Sequence, residues 1–282
     1  NSITNLNGLS TITSIGGYLY IDSNAGLTSL SGLNGLTSIG GGFFVEYNSA
    51  LTSLTGLNGL TSIAGGLGIF ENTALTTLTG LNGVTSINGG IYIQYNSALV
   101  NLTGLNGITS IDSYLDISIN DVLTSLAGLE GIISIGGDLV IAANPSLTSL
   151  ASLNGLTSIG GFLAIESNSS LLNLAGLNGL TSIGYLLIDA NNALISLSAL
   201  SGVTTIGGGG ISVYLNSALA SLNGLDNIDH TTISDLYLTN SGMLSICDVQ
   251  SICDYLAIPA NPATISGNAT GCHDPSKPSR AS

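Results

Sequence analysis

The sequence predicts an all-β solenoid, a chain wound into about ten stacked coils that share a parallel sheet. Three observations predict it. An asparagine recurs at Asn24, Asn48, Asn72, Asn96, Asn120, Asn144, Asn168, Asn191, Asn216 and Asn240. The first six steps are 24 residues and the next three are 23, 25 and 24. A period of this size marks repeats that stack on their neighbours. Within a repeat, apolar residues fall at every third position, as in Leu27, Leu30, Leu33, Leu36 and Ile39. Period three fits neither a helix nor a long strand, and fits short extended pieces joined by tight bends. Each repeat also carries one apolar-variable-apolar triplet, such as Leu19-Tyr20-Ile21, Phe43-Phe44-Val45 or Ile91-Tyr92-Ile93. Such a triplet is a short strand with two side chains inward and one outward.

The elements follow in order around a coil. Glycine pairs precede most strands, at Gly16-Gly17, Gly40-Gly41, Gly65-Gly66, Gly89-Gly90, Gly136-Gly137 and Gly160-Gly161. Together with the Gly-Leu-Asn-Gly units at 32–35, 56–59, 80–83, 104–107 and 176–179, they are expected to supply positive φ at tight corners. The asparagine follows three residues after the strand triplet, where the chain bends inward. There a buried amide can satisfy backbone groups that regular pairing leaves open. The ten asparagines Asn24 to Asn240 are therefore expected to form a buried structural ladder. At about 4.8 Å per coil, ten coils span on the order of 50 Å.

The first residues already run in coil register, with Ile3, Leu6, Leu9, Ile12 and Ile15, and carry no cap of their own. Head-to-tail association through that end is one expectation. No signal peptide is visible from Asn1, which suits a processed secreted chain as well as a cytosolic one. At the other end the pattern changes. Ile246, Val249, Ile252 or Cys253, and Leu256 fall at helical spacing, so residues 245–256 read as a short amphipathic helix, and Pro259, Pro262 and Gly267 then break the chain. The organisation expected is a solenoid over 1–244 and a cap and tail over 245–282. All three cysteines, Cys247, Cys253 and Cys272, lie in that cap. Their clustering favours a disulfide and an oxidising compartment, with Cys272 paired to Cys247 or Cys253. The weaker alternative is zinc held by the three cysteines and His273.

Charge narrows the partners. The net charge is −14, from 16 acidic and 2 basic residues, and the basic ones are Lys277 and Arg280. The coils thus lack the cations that phosphate or anionic lipid contacts need, which argues against nucleic acid and acidic membrane surfaces. No apolar run is long enough for a transmembrane helix. Charged residues make up only 6% of the chain, so the surface suits neutral ligands, a glycan, a protein or ice, or copies of itself. No cofactor and no catalytic set is expected. Asp226, Asp229, His230 and Asp235 form the one dense polar cluster; it reads as a solvated loop before it reads as a metal site.

Two sets of outward residues are candidate sites. The strand and its flanks offer Tyr18, Tyr20, Asp22, Phe44, Glu46, Tyr47, Glu71, Tyr92, Tyr95, Tyr114 and Asp116. Aromatic rings beside carboxylates can stack on sugars or anchor a protein partner, although aromatics also simply suit exposed strand positions. A row of threonines, Thr37, Thr61, Thr85, Thr109, Thr157, Thr181 and Thr204, could template ordered water as on an ice-binding face. A second row, Thr28, Thr52, Thr76, Thr124 and Thr148, lies nine residues away and lapses at Val100, Leu172 and Ile195.

The pattern Ile-Gly-Gly-x-Leu-x-Ile-x-x-Asn-x-x-Leu, followed by Leu-x-x-Leu-x-Gly-Leu, resembles the leucine-rich-repeat-like coils of receptor L domains and of bacterial cell-surface proteins, over residues 3–246. The resemblance implies a right-handed β-helix or leucine-rich-repeat solenoid, secreted or displayed on a cell surface. It implies ligand binding or adhesion, and it brings no catalytic residues.

Overall fold

The computed structural model describes residues 3–272. His273, Lys277 and Arg280, and with them the fourth ligand of the zinc alternative, lie outside the described residues. One parallel sheet of 11 strands runs the length of the molecule. It starts at Leu19–Asp22, continues through Phe43–Glu46, Leu67–Phe70, Ile91–Gln94, Leu115–Ser118, Leu139–Ala142, Phe162–Glu166, Tyr185–Asp189, Ile211–Tyr214 and Leu236–Thr239, and ends at Ala263–Ser266. Each strand pairs only with those of the coils before and after it, in strict register, so Tyr20 faces Phe44 and Asp22 faces Glu46. Equivalent residues of successive coils therefore form straight rows. Two narrower parallel sheets of two-residue strands hold another side, four strands from Ser14–Ile15 to Ser86–Ile87 and five from Ser110–Ile111 to Thr205–Ile206.

The period of three has a direct cause. Successive corners are closed by i→i+3 backbone bonds: Leu27 N–H to Asn24 O at 2.9 Å, Leu33 to Leu30 at 3.1 Å and Leu36 to Leu33 at 2.9 Å. Each such turn brings the next leucine back to the inner side. Leu51, Leu54, Leu57, Leu60, Ile63, Leu67 and Ile69 are completely buried, and the same set recurs from coil to coil as one continuous core. Burial of each such side chain is worth about 1.5–3 kcal/mol. An isolated coil would expose its set on both open sides.

The ladder holds the bend after the strand. Asn48 donates its side-chain amide to Ile21 O at 2.7 Å and Glu46 O at 2.8 Å, while its backbone N–H donates to Asn72 Oδ1 at 3.2 Å. The arrangement repeats up to Asn216, and Asn48 through Asn216 have no exposed surface. The two ends depart from the expectation. Asn24 is half-buried, because only Ile3 N–H meets its Oδ1 from outside, at 3.2 Å. Asn240 is exposed and is not a ladder residue; the buried position belongs to Ser241, whose Oγ accepts Asn216 N–H at 3.2 Å. Asn268 follows, its Oδ1 accepting Ser241 N–H at 3.0 Å. The coil after Asn216 is one residue longer there, which slides Asn240 out of line.

Asn240 occupies a different row. The residue before each ladder position has positive φ: Ser23, Tyr47, Glu71, Tyr95, Ile119, Ala143, Ser167, Ala190, Leu215 and Asn240, between +52° and +60°. These side chains are forced into a left-handed conformation that the ladder amide spans, bonding to the carbonyl on its far side. The glycine pairs, by contrast, do not take positive φ. From Gly40-Gly41 onward successive coils touch there: a methyl group on Gly65 would lie 2.6 Å from Gly42 N, whereas one on Gly16 or Gly17 would meet nothing. The Gly-Leu-Asn-Gly units do meet the expectation at their first residue, with φ of +111° at Gly32 and +129° at Gly104.

At the C-terminal end, α1 (Gln250–Leu256) is shorter than the helical spacing suggested, and Val249, Ile252 and Tyr255 seal the last open coil. The strand Ala263–Ser266 then returns to the main sheet, so stacking continues one coil beyond those counted from the asparagines. Pro262 does not interrupt it, because only its carbonyl is used, accepting Leu236 N–H at 3.2 Å. The disulfide joins Cys247 to Cys272, with Cα atoms 5.5 Å apart. Cys253 lies on α1 and is not part of it.

Candidate binding face

The outer side of the 11-stranded sheet collects most of the chain's distinctive side chains. Of ten tyrosines and four phenylalanines, Phe43 and Tyr255 are buried, and the other twelve lie on or beside these strands. Asp22, Glu46, Glu71, Asp116, Asp138, Glu166, Asp189 and Asp235 lie there too, half of the 16 acidic residues. All eleven aromatic and acidic candidates read from the sequence fall on this face, over the first five coils.

Register decides which of them meet. Tyr20 and Phe44 are cross-strand partners with rings stacked 5.0 Å apart, and Tyr18 joins them at 6.0 Å from Tyr20 and 6.4 Å from Phe44. The Phe44 ring lies over glycines, and a methyl group on Gly68 would come within 2.5 Å of it. The Phe44 ring thus fills space that glycine leaves open. Tyr92 covers Gly90 in the same way. Burial, Tyr114 and Asp116 hold the Tyr92 hydroxyl above the usual tyrosine pKa. Asp116 is engaged within the face, accepting from Gln94 Nε2 at 2.7 Å and from the Ser118 hydroxyl.

Between these clusters lies a groove of about 340 Å³, lined by Glu46, Tyr47, Phe70, Glu71, Gln94 and Tyr95. Tyr47, Glu71 and Tyr95 are successive members of the positive-φ row, and Glu46, Phe70 and Gln94 are successive outward strand ends. Tyr47 and Tyr95 are half exposed. The Glu71 carboxylate, by its charge and its hydrogen bond, raises the pKa of the Tyr47 hydroxyl. Burial, aided by the charge of Asp22, raises that of Glu46.

A second cluster escaped the sequence reading. Phe162 and Tyr185 pair at 5.0 Å, Tyr214 and Tyr237 at 5.6 Å, and Glu166 faces Asp189 across adjacent strands. Burial and the neighbouring carboxylates Asp189 and Asp116 raise the Glu166 pKa; burial raises that of Asp189 against the opposing hydrogen bond from Tyr214. Asp189 Oδ1 and Thr239 Oγ1 are buried with no partner among the described residues. Phe162 and Tyr185 each stand six residues before their ladder asparagines, as Tyr18 and Tyr114 do, so the asparagine alignment already holds them in one row across the 23-residue step.

The threonine rows serve the stack. Thr37 Oγ1 donates to Thr13 O at 2.9 Å, Thr61 to Thr37 O at 3.0 Å, Thr85 to Thr61 O at 3.4 Å and Thr157 to Ile133 O at 3.1 Å. Thr181 and Thr204 continue it, and Ile133 interrupts it. The second row bonds the same way, as Thr76 does to Thr52 O at 3.2 Å. In these threonines the hydroxyl points along the coil axis into a backbone carbonyl, whereas Thr109, Thr28 and Thr52 make no such bond among the described residues. The Asp226–Asp235 segment is likewise locally bonded: Asp226 accepts Gly224 N–H at 3.0 Å, and Asp229 caps the turn His230–Thr232 through Thr231. That cap holds the Asp229 carboxyl below its ordinary pKa. Among the described residues, no three His, Cys, Asp or Glu side chains are grouped to hold a metal ion, and no helix is long and apolar enough to cross a membrane.

No curated protein matches the chain. The model of the BspA type leucine rich repeat region matches residues 1–115 in six copies. The coils beyond residue 115 continue the same sheet, core and ladder without a break. Residues 1–115 are thus similar to BspA type leucine-rich repeats, and the same β-solenoid architecture carries on from there to Ser266.

Proposed function

We propose that this protein is a non-catalytic binding or adhesion module acting outside the cell, with its ligand lying across the outer face of the long sheet over the first five coils. BspA-type repeats are often surface adhesion and binding modules. The observation that carries the proposal is the concentration of eight exposed or half-exposed aromatic rings and four carboxylates on this stretch of one face of a chain with only 6% charged and 5% aromatic residues. Stacked aromatic rings offer large amphipathic contact area at a low entropy cost, which is what a glycan or protein contact surface needs. The Cys247–Cys272 bridge suits an oxidising, extracellular setting.

The test is attachment of the purified protein to cells and to a glycan array, compared with Tyr20→Ala and Tyr92→Ala. Both rings are outward, so folding is expected to survive, which circular dichroism checks. Attachment is expected to fall about tenfold or more with either change. Attachment unaffected by both would sink this face as the binding surface.

A further inference from the structure

We infer that the groove between Tyr47 and Tyr95 is a subsite for a lysine or arginine side chain of a partner protein that lies extended along the coil stack. The inference rests on the binding-face reading and assigns its ligand chemistry.

Tyr47 and Tyr95 stand two coils apart in the same row, at φ +56° and +60°, so the fold aims their side chains from equivalent backbone positions. Glu71 stands between them, Phe70 lies at the strand end beside it, and Glu46 closes the near side. Aromatic rings around a carboxylate are the surroundings in which an ammonium or guanidinium gains both a cation–π contact and a charge-assisted hydrogen bond. Charge complementarity favours a cation over a neutral ligand. The described residues contain no lysine or arginine, so the charge that balances Glu46 and Glu71 comes from outside the coils. A neutral sugar stacked on the tyrosines would desolvate both carboxylates without balancing them.

The surroundings favour a polypeptide over a small cation. Carboxylates continue along the stack from Asp22 through Glu46 and Glu71 to Asp116, over four coil steps or about 19 Å. That is the reach of about six extended residues. Beside the groove, the Tyr18–Tyr20–Phe44 stack offers an apolar anchor for another residue of the same segment.

The probe is a fluorescein-labelled peptide of six residues alternating lysine and leucine, titrated at low and high salt. Saturable binding that weakens with salt is expected. Glu71→Gln, and Tyr47→Ala with Tyr95→Ala, are each expected to weaken it about tenfold. Alanine already stands in this row at Ala143 and Ala190, so the coil accepts it. Glu166→Gln, an equal loss of charge three coils beyond the Tyr95 edge of the groove, is expected to leave binding within about twofold. No binding, equal weakening by Glu166→Gln, or indifference to the tyrosines overturns the inference. So does spermine displacing the peptide when Tyr18→Ala and Phe44→Ala leave peptide affinity unchanged, which would assign the groove to small polycations. A neutral oligosaccharide that binds through Tyr20 and Tyr92 while the peptide does not would overturn the cation subsite and leave the binding face standing.

Discussion

Asn96 and Asn120 are joined twice: the Asn96 backbone N–H donates to Asn120 Oδ1 at 3.1 Å, and the Asn96 side-chain amide reaches the same oxygen at 3.4 Å. Asn120 in turn donates its amide to Ile93 O at 2.9 Å and Ser118 O at 3.1 Å. Asn120→Ala therefore strands a buried N–H and weakens the bonding of two carbonyls at once. With about 1–3 kcal/mol for each unsatisfied buried group, a loss of about 3 kcal/mol or more is expected. Asn24→Ala, at the half-buried end of the ladder, is expected to cost about 1 kcal/mol. Chemical denaturation of both variants measures the difference, and equal costs would show that the ladder's interior is not what stabilises the bend.

How much of this was legible in the sequence depends on what each residue type signals. Leucine every third residue gave the turns and the core, because i→i+3 closure and inward apolar side chains leave a pattern that survives substitution. The asparagine spacing showed the ladder as far as Asn216. It misled at Asn240, because asparagine also tolerates positive φ and so fits the neighbouring row equally well. Nothing in the serine at 241 advertises a buried ladder rung. The aromatic face was read over the first five coils; Phe162 and Tyr185 keep the same spacing to their asparagines as Tyr18 and Tyr114, but their pairing with one another shows only in the packing of adjacent strands. Which rings stack depends on cross-strand register, and the groove depends on side chains three coils wide, so neither is a property of any one repeat.

Gly104 has φ +129°, and a methyl group there would lie 2.2 Å from Leu78 O. Taken alone, that clash would forbid alanine. The equivalent positions in two other coils, Ser152 and Ala199, carry a Cβ and adopt short 3₁₀ turns, Ala151–Leu153 and Ser198–Leu200. Gly104→Ala can take the same route. The expected cost is about 1–2 kcal/mol with the fold retained. A denaturation midpoint lowered by much more would mean that the turn cannot switch in that coil.

The Cys247–Cys272 bridge closes a span of 25 residues that contains α1 and the edge strand Ala263–Ser266. Its entropic contribution is about 3 kcal/mol. Because coils contact only their neighbours, the loss on reduction is expected to be local. Hydrogen exchange under reducing conditions should rise in residues 245–272 and stay low around Asn48 to Asn168. Uniform acceleration along the whole chain would contradict nearest-neighbour stability.

Acid is expected to stabilise this protein over part of the pH scale. Glu166 and Asp189 face each other across adjacent strands with no lysine or arginine among the described residues, and burial raises both pKa values above their ordinary ones. Glu46, half-buried beside Asp22, is raised as well. A carboxyl whose folded pKa exceeds its unfolded one binds its proton more readily in the folded state. Stability then falls as pH rises from the ordinary carboxylate range through the raised folded values, and is higher below that window. Relief of repulsion within a chain of net charge −14 acts in the same direction. Asp229 acts oppositely, but its folded pKa is lowered, so its contribution is lost only at still lower pH. The thermal midpoint is therefore expected to rise as the pH is lowered from about 7 to about 5 at constant ionic strength. Glu166→Gln and Asp189→Asn should raise the midpoint at neutral pH and flatten its rise with acid. A midpoint that instead falls steadily between those pH values, or variants with unchanged slopes, would show that the facing carboxylates are not what sets the pH response.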